Sequence, residues 1–101
     1  MKPNVAKCLL VSKVLIADGM MQDEERAFLA EMMTALDLTP EERTSVVELK
    51  GLDQAEPFVR GLPAEERQAL VEQLVDAASA DGKLSPHELA MVKRLTTALG
   101  L

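Results

Sequence analysis

Four carboxylates stand in a pattern that the chain uses twice. Ala17-Asp18-Gly19 is followed by Glu25 six positions after the glycine, and Ala80-Asp81-Gly82 by Glu88 at the same spacing. Carboxylate oxygens are the ligands that hard divalent cations take, so cation binding is the first chemistry to consider. General acid–base work is the second, but no residues around the four read as a substrate pocket. The flanks repeat as well. Positions 15–38 align with 78–101 without a gap and agree in Ala, Asp, Gly, Glu, Ala, Thr, Ala, Leu and Leu, which marks an internal duplication.

The elements that must carry these residues are helices. Pro3-Asn4 opens a first helix, expected to reach Asp18, whose apolar residues cover most of its circumference and make it central. Gly19 then ends it in the left-handed conformation. Asp23, Glu24 and Glu25 supply a negative first turn for a second helix, with Phe28, Leu29, Met32, Met33 and Leu36 on one face, ending near Asp37. Thr39-Pro40-Glu41-Glu42 forms a capping box for a third helix, through about Lys50. Asp53–Gly61 suggests only a short helix that Pro57 limits.

Pro63 starts the next long helix, with Leu70, Val71, Leu74, Val75 and Ala78 on one face, and Gly82 ends it. Ser85-Pro86-His87-Glu88 is a second capping box, with Leu84 able to staple onto Leu89. The final helix carries Leu89, Val92, Leu95 and Leu99 inward and stops at Gly100. No segment alternates with period two. The fold class is therefore all-α, a single domain over residues 1–101, in which two helix-turn-helix hairpins joined by shorter helices make a pseudo-two-fold bundle.

In each hairpin the Asp is expected at the end of one helix and the Glu in the first turn of the next, so a tight turn brings both carboxylates to one corner. Two explanations stay open. A Glu at the third helical position caps its own helix, which contributes about 1 kcal/mol. Ser85 makes this a good account of Glu88, whereas Gln22, a poor N-cap, makes it a weaker one of Glu25. Asp18 and Asp81 face the negative end of a helix dipole, and either turn N–H groups or a bound cation must compensate. Asp→Asn and Glu→Gln changes separate the cases.

D-G-x5-E matches the second half of the EF-hand calcium loop. The first half fails, because Ile16 and Val14, or Ser79 and Ala77, stand where oxygen ligands are required. The duplicated A-D-G-x5-E, together with L-x-P-E-E-R at Leu38–Arg43 and L-P-x-E-E-R at Leu62–Arg67, resembles the TerB-like tellurite-resistance family. The helical domain of DjlA-type membrane co-chaperones is similar too. The resemblance implies an all-helical pseudo-symmetric fold and a divalent-metal site formed here by Asp18, Glu25, Asp81 and Glu88. The ion would be calcium, magnesium, manganese or zinc. It further implies a non-enzymatic module that works through protein contacts in a metal or stress response. The first copy departs more from the pattern, with Met20-Met21-Gln22 where the second has Lys83-Leu84-Ser85.

Composition narrows the rest. With 48% apolar and 28% charged residues the chain is globular, and at this length it buries roughly two-thirds of its unfolded surface. Two Phe and no Tyr or Trp leave the core to Leu, Val, Ala and Met. A net charge of −6 disfavours nucleic acid and anionic membranes as partners and leaves metal ions or basic protein surfaces open; a protein partner is expected, with a homodimer as a further option. The run from Val5 to Ala17 is too short and too polar to span a membrane, and Asp18 fits a signal-peptide cleavage site poorly. Cys8, the single cysteine, excludes an internal disulfide, suits a cytoplasmic protein and reads as a small core residue. His87 reads as solvent-exposed, Met32-Met33 as core, and Met20 as a partner contact. There is no Ser-His-Asp or Cys-His set, no phosphate loop and no cofactor motif.

Overall fold

The computed structural model describes residues 1–17, 19, 21–80, 82 and 85–101, and among them it contains six helices and no strand. These are α1 (Pro3–Leu15), α2 (Asp23–Ala35), α3 (Pro40–Val47), α4 (Leu52–Arg60), α5 (Ala64–Ala78) and α6 (Pro86–Ala98). The all-α expectation holds. No helix among the described residues is long and apolar enough to cross a membrane.

α1 lies at the centre, in contact with each of the other five helices. Its sequence requires this, since Ala6, the unbroken run Cys8–Ser12, Val14 and Leu15 are all buried and no single neighbour could cover them. Cys8 is wholly buried, and burial pushes its thiol up to about 11. Lys7 and Lys13, on the remaining stripe, reach outward to Glu66 of α5 at 3.7 Å and Glu56 of α4 at 3.6 Å.

The duplication is structural. α2 and α6 have the same length, and the offset of the repeat carries Asp23–Ala35 onto Pro86–Ala98. The same offset carries Leu15, the end of α1, onto Ala78, the end of α5. Each turn repeats the same bonds. Ala17 N–H donates to Val14 O and Gly19 N–H to Ile16 O, as Ala80 N–H does to Ala77 O and Gly82 N–H to Ser79 O. Gly19 and Gly82 both take positive φ, 101° and 81°, a conformation that a side chain at either position would strain.

Several boundaries and faces differ from the sequence expectation. α1 ends at Leu15, short of Asp18, because the chain tightens into i→i−3 bonds beyond Val14. α3 ends at Val47 because Leu49 turns left-handed. Pro57 does not limit α4 but sits inside it. Proline forfeits one hydrogen bond there, while the helix buries Ala55 and Val59 completely and packs closely on α1. On α5 the inner stripe is Leu70, Leu74, Ala77 and Ala78, and Val75 is 48% exposed. On α6 it is Glu88, Val92, Leu95 and Leu99, with Leu89 only half-buried.

Candidate functional site

Glu25 and Glu88 each occupy the third position of their helix, and both point inward. Their exposures are 0% and 1%. The reason is helical periodicity. One turn toward the N-terminus from Leu29, or two from Met32, falls on Glu25, and the same steps from Val92 and Leu95 fall on Glu88, so each glutamate heads a stripe that is otherwise apolar. A pattern reading that assigns charge to the solvent face misses this; extending the stripe by one turn would have found it.

Both glutamates take part in the caps of their own helices. At α2, Glu25 Oε1 accepts the backbone N–H of Gln22 at 2.8 Å, so the glutamate side chain secures the helix entry despite the weak N-cap residue. At α6, Ser85 Oγ accepts the N–H of Glu88 at 3.3 Å. The capping role of Glu25 uses one oxygen. Its Oε2 is buried and has no hydrogen-bond partner among the described residues. A buried carboxylate oxygen left in this way costs about 1–3 kcal/mol, and more when the group is charged.

Asp18 and Asp81, the other two residues of the expected set, lie outside the described residues, as do Met20, Lys83 and Leu84, and with Leu84 the expected staple onto Leu89. Among the described residues no three of His, Cys, Asp and Glu converge closely enough to hold a metal ion. His87 is exposed, as expected.

The residues that shape the helix ends were only partly visible in the sequence. Thr39 Oγ1 accepts from Glu42 N–H at 3.1 Å and Glu42 Oε1 from Thr39 N–H at 2.8 Å, the reciprocal box that the spacing predicts. Bonding to the Thr39 amide holds the Glu42 carboxyl below its usual range. The arginines closing the two E-E-R runs have an unexpected task. Arg43 Nε donates to Leu38 O at 3.3 Å and its Nη2 to Thr34 Oγ1 at 3.1 Å, at the end of α2. Arg67 Nε donates to Leu62 O at 3.1 Å and its Nη1 to Leu99 O, at the end of α6. Each arginine thus brings a positive charge to the carbonyl end of a duplicated helix, where the dipole favours it.

A family model described as tellurite resistance protein TerB matches residues 4–101. The chain belongs to the TerB family. Its match runs through both hairpins and the helices between them, so the duplicated turns and the two arginine anchors are parts of one TerB unit. No curated protein and no solved structure matches the chain.

Proposed function

We propose that this TerB-family chain is a non-enzymatic module that takes up a divalent cation at its duplicated acidic turns and passes that state on through contact with a protein partner, in a metal or tellurite stress response. The observation that carries this reading is the Oε2 atom of Glu25, wholly buried in a helix first turn and without a hydrogen-bond partner among the described residues. Glu88 is buried at the equivalent position of the second copy. Asp18 and Asp81 stand shortly before them in sequence and complete an all-oxygen donor set. Such a set suits calcium, magnesium or manganese better than zinc, which prefers nitrogen and sulfur. Protein contact is the mode of action that fits a small helical unit whose singled-out residues are ligands and caps rather than a nucleophile with its base.

A second reading has its own support. The bond from Gln22 N–H to Glu25 Oε1 is the one a purely structural cap would make, and in that case the chain is an interaction domain without a metal. Calorimetric titration with calcium, magnesium, manganese and zinc separates the two. Saturable heat with at least one of them at or below millimolar concentration is expected, and none with any of the four removes the cation reading.

A further inference from the structure

α2 and α3 follow one another closely but pack chiefly on α1 rather than on each other. Between them lies a half-open cavity of about 550 Å³, within the range of small-molecule sites. Ser12 of α1 and Ile16, just beyond its end, line it. One wall is the α2 face of Leu29, Ala30 and Met33, and the other is Val46 and Val47 of α3. Among the described residues no aromatic ring lines it, so a flat heterocycle would find no stacking partner. Methionine and branched aliphatic side chains instead suit a flexible hydrocarbon chain.

Among the described residues one charged side chain lines the cavity. Arg26 is exposed and forms no ion pair among them, in a chain of net charge −6. The remaining polar side chain, Ser12, already donates its hydroxyl to Cys8 O at 2.9 Å. The lining also carries a conformational oddity. α2, α6 and α3 end with the same pair of bonds, and the residue at the left-handed position is Asp37 after α2, Gly100 after α6 and Leu49 after α3. Glycine takes that conformation freely and aspartate tolerates it, but leucine at φ 58° is strained, and Leu49 lines the cavity.

We propose that this cavity binds the anion of a single-chain aliphatic carboxylic acid, with its hydrocarbon tail between α2 and α3 and its carboxylate on Arg26. The guanidinium supplies the fork that a carboxylate matches, and the tail buries the exposed side chain of Val47, 69% open to solvent. A protein partner fits less well. Among the described residues the other large exposed apolar side chains, Met1, Val75 and Leu101, do not line the cavity, so they add no broad apolar surface around it of the size that protein interfaces need. The cavity borders the first acidic turn, since Ile16 and Met21 line it, but the proposal does not rest on cation binding.

The test uses dodecanoate, below its micelle-forming concentration, with the full chain. Binding is followed by calorimetry and by methyl NMR of Met21 and Met33, which both line the cavity. Saturable one-to-one binding is expected, with shifts at both methionines. Arg26→Gln should weaken it at least about tenfold, the ratio for one charge-assisted contact. Ala30→Phe, at an exposed position that folding tolerates, should fill the groove and abolish binding. Dodecyltrimethylammonium, with the same tail and the opposite charge, should bind at least tenfold more weakly than dodecanoate. Equal binding of the two amphiphiles, or dodecanoate binding unchanged in both variants, would overturn the proposal. So would self-association that buries the same methionines and excludes dodecanoate, which would make the occupant a second copy of the chain.

Discussion

In the first hairpin the leading helix α1 is buried around most of its circumference, whereas its counterpart α5 buries one face and leaves Val75 exposed. The turns that follow are nevertheless the same in their bonds, in the sign of φ at glycine and in the burial of the glutamate beyond them. The described part of the duplicated turn thus keeps its bonds in two surroundings that differ in packing. Ser12 and Val75, which the repeat makes equivalent, illustrate the point: the serine is inside, self-satisfied on Cys8 O, and the valine is outside. Packing of the leading helix thus differs between the copies, while the buried glutamate at the head of the following helix is common to both.

The largest effect should come from that difference in packing. Leu10→Ala, in the middle of α1, is expected to cost about 3–4 kcal/mol, because neighbours on all sides prevent collapse into the cavity. Val75→Ala should stay within about 0.5 kcal/mol. Urea unfolding measures both, and similar costs would mean that α1 and α5 are equivalent after all.

The arginine anchors come next. Arg67→Met removes two bonds to carbonyls, one reaching the distant Leu99, and should cost about 2 kcal/mol. Arg43→Met removes one bond to a carbonyl and one to an exposed hydroxyl, and should cost about 1 kcal/mol. Amide exchange in the last turns of α6 and α2 would localise each loss. The caps give a smaller contrast: Ser85→Ala should cost about 1 kcal/mol at the start of α6.

Cys8 offers a pH dependence. Its thiol is held protonated to about pH 11 in the folded chain, against 9.0 for an ordinary thiol, so the unfolded state loses its proton first. Stability should therefore fall as pH rises from about 9 to about 11, and a Cys8→Ala variant should show a shallower decline. A thiol reagent at pH 8 should react no faster than the chain unfolds.

Much of this arrangement is legible in the residues. The apolar circumference of α1, the box Thr39–Glu42 and the offset repeat fixed the helices and their pairing, because each is a local signal that packing reinforces. Pro57 misled, since its lost bond is offset by the contact of α4 with α1, which no local rule contains. Leu89 and Val75 misled by their apolarity, since the stripe that faces the core is set by helix phase and α5 and α6 have more apolar residues than inward positions. The inward course of Glu25 and Glu88 is the same effect in reverse: phase places a charged residue on the buried stripe. The tasks of Arg43 and Arg67 depend on helix ends distant in sequence or hidden in a turn, although their equal spacing from Leu38 and Leu62 hinted at one role.

If the carboxylates of the duplicated turns hold a cation, the melting temperature should differ with and without calcium, magnesium or manganese. Wild type, Glu25→Gln and Asp81→Asn are compared. Glutamine keeps an acceptor for the Gln22 N–H while removing the charge and turning the second oxygen into a donor, so the variant should fold. Wild type should gain several degrees with at least one of these ions, and both variants should lose that gain. An equal rise in all three proteins, or none in wild type, would show that these carboxylates cap their turns and do nothing more.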